Sequence, residues 1–151
     1  MKKVFRITLA LLLVAFVAIQ FIRADRSTPE VDASIDFLNV ETPPEAVTAI
    51  IKNTCYDCHS YQTNYPWYAH IAPISWRIDE HVEHGLEHLN FSLWDQYAGS
   101  KQRKILDEIA EEVEEGEMPL DDYIWLHSEA DLTPEQRDLF MKWAHSRMQK
   151  R

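Results

Sequence analysis

Both cysteines of the chain lie in one five-residue stretch, Cys55-Tyr56-Asp57-Cys58-His59. Positions i, i+3 and i+4 share one face of a helical turn, so in a helix the two thiols and the imidazole would point in one direction. Such a group can form a disulfide, a redox couple, a zinc site or an attachment site for haem. The sequence around the stretch discriminates between these four chemistries.

Three of the four chemistries are disfavoured. A disulfide across two intervening residues closes a very short loop and removes little entropy from the unfolded chain. A thioredoxin-type pair belongs in a βαβ unit with a strand before it, whereas residues 42–54 (TPPEAVTAIIKNT) predict a helix. A structural zinc site takes four ligands, and the chain has no second Cys-x-x-Cys pair.

The spacing Cys-x-x-Cys-His is the attachment signature of c-type haem. Two thiols on one face of a helical turn can reach the two vinyl groups of one porphyrin, and the next imidazole is then led to the iron. The sequence therefore predicts one covalently attached haem c. It is held by Cys55 and Cys58, with His59 as the proximal iron ligand.

The sixth iron position has two candidate ligands. Met118 lies in GEMPL (residues 116–120), after a predicted helix that Gly116 ends and beside Pro119, which stiffens its backbone. Methionine with histidine is the ligand pair of electron-transfer haems, so Met118 is the predicted distal ligand. A core methionine is the structural alternative. His70, in the loop after the cysteines, is the alternative ligand.

The remaining histidines fit a surface better than a metal site. Those of the predicted helix 73–89 share one face, but glutamates alternate with them, which is the pattern of a solvated face. The helix residues are His81, His84 and His88. Two further histidines, His127 and His145, are predicted to lie on the surface.

Aromatic residues are concentrated just after the cysteines, and they suit the walls of an apolar haem crevice. Arg77 could pair with a haem propionate. The aromatic residues are Tyr61, Tyr65, Trp67, Tyr68 and Trp76.

Composition and periodicity predict an all-α domain. The chain has three glycines and no long alternation of β-branched residues. Helices are predicted over 42–54, 73–89, 100–116 and 132–151, with Thr42 as the N-cap of the first, Ser92 or Ser100 as that of the third and Thr133 as that of the last.

Charge is distributed unevenly along the chain. The formal net charge is −10, yet residues 1–26 carry +4, which leaves −14 for the rest. A domain this acidic repels phosphate, which excludes nucleic acid as a partner. We expect it to attract a redox partner protein with a basic docking surface.

The N-terminus predicts an uncleaved signal anchor. An apolar run from Ile7 to Ile22 follows Lys2 and Lys3, and its length is marginal for crossing a bilayer. The positive-inside rule then puts the rest of the chain on the periplasmic side of the inner membrane. The predicted organisation is a transmembrane helix over 1–23, a tether over 24–41 and a haem-binding domain over 42–149.

The order helix, Cys-x-x-Cys-His, loop, two helices, Met-Pro and terminal helix resembles a class I cytochrome c. TNYPWYAHIAPISW, HVEHGLEHLNFSLW and GEMPL with Tyr123 are similar to the haem-binding domain family of membrane-anchored bacterial proteins. The similarity covers residues 35–147. It implies that Cys55, Cys58 and His59 are haem-binding positions and strengthens the case for Met118.

Together these features predict a membrane-anchored periplasmic monohaem cytochrome that transfers single electrons and is not an enzyme. The alternative is a haem-based sensor or small-ligand binder, with an open sixth position or one held weakly by His70. A peroxidase-like site is the least favoured, because no distal acid–base pair is evident.

Overall fold

The structure, a computed structural model, describes residues 1–149, and within that range it is all-helical with no strand. This confirms the predicted all-α class. The helices are α1 Lys2–Ile19, α2 Phe37–Glu41, α3 Glu45–Thr54, α4 Tyr56–His59, α5 Ile74–His88, α6 Gly99–Glu115, α7 Asp121–Ile124 and α8 Pro134–Met148. Short 3₁₀ helices cover Ala33–Ile35, Trp67–His70, Phe91–Gln96 and Ser128–Ala130.

The core lies where α3 and α6 pack against α8. Each helix contributes the apolar side of an amphipathic pattern, and an aromatic cluster from α2 and the 3₁₀ helix 91–96 completes the core. Its members include Val47, Ile50, Ile51, Ile105, Leu106, Val113, Phe140, Trp143, Phe37, Phe91 and Trp94.

Two helix ends have the capping residues that the sequence predicted. Thr133 and Gln136 form a reciprocal capping box at the start of α8, as predicted. Gly116 ends α6 at a φ of 81°, a left-handed conformation that glycine adopts without steric cost. The predicted helix 132–151 thus exists as α8, and its last two residues lie outside the described range.

The predicted start of α3 is wrong. The N-cap is Pro44, and Thr42 instead ends α2 in a left-handed conformation at a φ of 43°. Pro43 precedes Pro44, and a residue before proline is disfavoured in the helical region. Pro43 is therefore a poor first helical residue, and the helix begins after Pro44. The predicted caps of α6 are wrong as well, since Ala98 takes that place.

The predicted transmembrane helix is contradicted, and with it the inner-membrane, single-pass location. Within residues 1–149 the structure has no helix that combines the length and apolarity needed to span a bilayer. The reason is where α1 ends. The helix stops at Ile19, so its apolar part from Ile7 onward covers only about 20 Å of a roughly 30 Å hydrocarbon core.

The residues after α1 pack on the domain instead of continuing the helix. The Gln20 side-chain amide donates to the Ala72 carbonyl at 3.1 Å and accepts from the Ala72 N–H at 2.9 Å. The Trp76 indole N–H donates to the Ile22 carbonyl at 2.8 Å. Polar groups at the end of the apolar run are therefore committed to contacts with α5 and the loop before it.

Arg26 completes this attachment. Its guanidinium bonds Asp79 at 2.6 Å and the Ala69 carbonyl at 2.5 Å, and it lies over the Tyr65 ring at 4.0 Å from the centroid. Residues 20–26 are thus held against the segment 65–79.

Candidate functional site

The cysteine stretch forms a single helical turn directly after α3. The N–H groups of Cys58 and His59 both donate to the Cys55 carbonyl, at 3.2 and 2.9 Å. Tyr56 anchors the turn from the opposite side. It is buried, and its hydroxyl donates to Asp36 at 2.7 Å. The backbone therefore has the turn geometry that the spacing predicted.

The His59 side chain is oriented by the C-terminal end of α5. Its Nδ1 lies 2.9 Å from the Gly85 carbonyl oxygen and 3.3 Å from that of Leu89. A carbonyl oxygen only accepts, so Nδ1 carries the proton and Nε2 keeps its lone pair. Burial lowers the pKa of His59, which favours the neutral ring. Nε2 is thereby prepared to bind a metal.

The approach of α5 to this turn depends on Gly85. A Cβ atom at that position would lie 2.4 Å from the Cys58 carbonyl oxygen and 2.9 Å from its carbonyl carbon. Both distances are below any real contact, and both atoms belong to the backbone. The α5 backbone can therefore contact the turn at this point only without a side chain.

Both thiols are free and half-buried. Burial raises the pKa of Cys55 to about 11. Burial, with the neighbouring Asp57 charge, raises that of Cys58 to about 12. Both are protonated near neutral pH, unlike the thiolates of disulfide oxidoreductases. No group of three or more His, Cys, Asp or Glu side chains in residues 1–149 is arranged to hold a metal ion.

The apolar surroundings of the turn come from the 3₁₀ helix Phe91–Gln96, in the connector between the predicted helices 73–89 and 100–116. The Phe91 ring lies edge-on to His59 at 6.3 Å between centroids and stacks on Tyr56 at 5.3 Å. The predicted crevice aromatics are partly elsewhere: Trp67 is 76 % exposed and Trp76 is 37 % exposed. Phe91 could have been identified from the sequence, because a large aromatic residue in a short connector is usually buried.

Met118 and His70 have different surroundings. Met118 is half-buried and packs on the same core cluster that Cys55 contacts, and the Gly116 turn places it there. His70 is exposed, and its Nδ1 lies 3.4 Å from the Arg26 guanidinium. An arginine only donates, so that nitrogen accepts the bond.

Tyr123 connects the segment after Met118 to the cysteine turn. Its hydroxyl donates to the Asp57 carboxylate at 2.8 Å. His127 stacks on the Tyr123 ring at 4.1 Å, and its Nδ1–H donates to the Tyr123 carbonyl at 3.1 Å. In the neutral ring Nε2 is then the acceptor of the 3.0 Å hydrogen bond from the Tyr68 hydroxyl. His127, predicted as a surface residue, is half-buried in this network, which sequence could not indicate because its members are distant in the chain.

The α5 histidines do not converge on a metal. His84 and His88 are exposed, as a solvated face requires. His81 is half-buried, and its Nε2 lies 3.7 Å from the Asp122 carboxylate.

The residues of the turn fit a covalently bound haem. Two unpaired thiols precede an imidazole whose Nε2 is unprotonated, and an aromatic ring packs beside it. These are the groups that c-type attachment requires.

Comparison with curated proteins and with solved structures gives no match. The haem-binding domain family model matches residues 14–146, which is most of the chain. The match includes the cysteine turn, the α5 segment that supports it and the Met118 loop. The chain therefore belongs to the haem-binding domain family.

Proposed function

We propose that this haem-binding protein is a monohaem c-type cytochrome that transfers single electrons. The observation that carries the proposal is the CYDCH turn, in which two free thiols precede an imidazole with its Nε2 lone pair available. When bound, haem supplies a one-electron redox centre.

Each residue of the turn has a distinct role in this proposal. Cys55 and Cys58 would form the two thioether bonds, and His59 would bind the iron through Nε2, while the Gly85 and Leu89 carbonyls accept from its Nδ1–H. Phe91 excludes water from the proximal side.

Met118 is proposed as the sixth ligand. Its place on a loop beside the core cluster that contacts Cys55 supports this assignment. The contact between His70 and Arg26 favours Met118 over His70, because it directs the His70 ring toward the N-terminal segment.

The test of attachment is whether haem stays on the denatured chain. Wild-type protein expressed with a cytochrome maturation system is expected to carry one haem per chain after denaturation, and Cys55→Ala/Cys58→Ala none. Each single cysteine variant should retain at most one thioether bond. A wild-type chain without covalent haem would contradict the proposal.

The distal ligand is tested separately by Met118→Ala, with Met141→Ala as control. Met141 is a buried methionine of α8. Only Met118→Ala should lose the methionine-to-iron charge-transfer band and shift the reduction potential. An unchanged spectrum would show that Met118 is not the ligand. High-spin ferrous wild-type protein that binds CO readily would favour the sensor alternative.

An electron carrier needs a docking surface more than a substrate pocket. The strong negative charge outside residues 1–26 supports a basic protein as partner. The rate of electron exchange with a basic redox protein should therefore fall as ionic strength rises.

A further inference from the structure

Gly85 lies where α5 contacts the cysteine turn. Its own Cα approaches the Cys58 carbonyl so closely that an added Cβ would be 2.4 Å from the oxygen. No movement of a flexible side chain could relieve that clash, because the atom it meets is backbone. An alanine would force α5 away from the turn.

The same residue supplies the main hydrogen-bond acceptor of His59. The Gly85 carbonyl accepts from Nδ1 at 2.9 Å, and the Leu89 carbonyl lies 3.3 Å away. Gly85 thus has two roles. Its lack of a side chain permits α5 to contact the turn, and its carbonyl accepts the hydrogen bond from His59.

These carbonyls belong to the C-terminal end of a 15-residue helix. The end of a helix carries partial negative charge on its last carbonyl groups. A negative environment at Nδ1–H raises the basicity of Nε2, as second-shell acceptors do for metal-bound histidines. A more basic ligand stabilises ferric over ferrous iron.

We propose that Gly85 is a positioning residue for the iron ligand: it lets the C-terminal end of α5 dock on the CYDCH turn, where helix carbonyls fix His59 and lower the reduction potential. This inference rests on the proposed function. It adds a residue outside the cysteine stretch whose role depends on having no side chain.

The test compares two glycine-to-alanine changes in helices. Gly85→Ala introduces the clash, whereas Gly99→Ala, at the start of α6, has nothing within 4 Å of the added Cβ. Helix propensity alone would make both changes stabilising. We expect Gly99→Ala to be at least as stable as wild type and to keep the wild-type haem content and reduction potential.

Gly85→Ala should differ from wild type in stability, haem content and reduction potential. We expect a lower unfolding midpoint, a yield of covalent haem reduced about tenfold, the lower end of the losses in metal affinity that second-shell changes cause, and a higher reduction potential in the haem-loaded fraction. A Gly85→Ala protein with the stability and potential of Gly99→Ala would overturn the proposal.

A second measurement covers the case in which Gly85→Ala fails to fold. In wild-type haem-loaded protein, the Nδ1–H of His59 should exchange with solvent much more slowly than the ring N–H of His84, which is exposed on α5. Equal exchange rates would show that the α5 carbonyls do not hold His59.

The outcomes separate the two proposals. A wild-type chain without covalent haem contradicts the proposed function. A haem-loaded wild type with an unaffected Gly85→Ala variant contradicts the Gly85 assignment alone.

Discussion

At the scale of single residues, the Tyr123 hydroxyl joins two segments that are far apart in sequence. It donates to Asp57 inside the CYDCH turn, and burial together with that carboxylate raises the pKa of Tyr123. The hydrogen bond ties the segment after Met118 to the cysteine turn.

Removing this hydroxyl should loosen that connection. We expect Tyr123→Phe to lower the free energy of unfolding by about 1–2 kcal/mol, since a bond to a charged acceptor is lost. Urea denaturation of the haem-free chain measures it. Tyr61→Phe is the control, because the Tyr61 hydroxyl has no hydrogen bond among residues 1–149. Equal effects of the two variants would contradict the role of Tyr123.

The raised pKa of Tyr123 also has a pH signature. The unfolded chain releases the phenol proton above pH of about 10, whereas the folded chain retains it. Stability should therefore fall as pH rises beyond that value. The fall should be shallower in Tyr123→Phe than in wild type, which denaturation at several alkaline pH values would show.

At the scale of elements, residues 20–26 are fixed to the start of α5 and the loop before it. The attachment includes an ion pair between Arg26 and Asp79, whose side chains are only 21 % and 12 % exposed. A pair shielded in this way contributes more than one in open solvent.

Arg26→Ala should detach the segment while leaving the core folded. We expect a loss of about 1–3 kcal/mol, because Asp79 stays shielded without its partner. Hydrogen exchange should become faster at the Ala72 N–H, which donates a hydrogen bond to the Gln20 side chain. Arg77→Ala is the control, since its pair with Glu80 is exposed and worth about 1 kcal/mol or less. Unchanged exchange at Ala72 in Arg26→Ala would contradict this attachment.

At the scale of the whole molecule, one buried carboxylate joins the two ends of the described domain. Glu41 at the end of α2 accepts from the Trp94 indole at 2.7 Å and from Arg147 of α8 at 2.7 and 2.8 Å. Glu41 is 1 % exposed. A charge so shielded from water depends on its partners.

Arg147→Ala should therefore be among the most destabilising changes outside the apolar core. We expect about 3–5 kcal/mol, the usual cost of breaking a buried ion pair, measured by urea denaturation. Lys142→Ala removes an exposed pair with Asp138 on the same helix and should cost about 0.5 kcal/mol. Adding Glu41→Gln should recover part of the loss from Arg147→Ala, and a purely additive double variant would contradict the coupling.

Local patterns were enough to predict the helical class and the candidate ligands. The capping box at Thr133 and the stop at Gly116 depend on neighbours in sequence, so they were found from sequence. Residue spacing likewise predicted the one-turn geometry of CYDCH, because three hydrogen-bonded residues define it.

Contacts between segments distant in the chain could not be predicted from local patterns. Sequence alone indicated an N-terminal helix but not that it would end at Ile19, because Gln20 and Ile22 find partners more than fifty residues away. It placed Thr42 at a helix start because Pro43 suits the first helical position, whereas Pro44 disfavours the helical region for Pro43 and the helix begins one residue after Pro44.

The sequence by itself thus determined the class of fold, the helical turn at CYDCH and the chemistry its side chains can perform, since all three follow from residue type and short spacing. Only the tertiary structure decided which nitrogen of His59 is free and why Gly85 has no side chain. Both depend on α5 packing against a turn 26 residues earlier in the chain, a contact that no local pattern encodes.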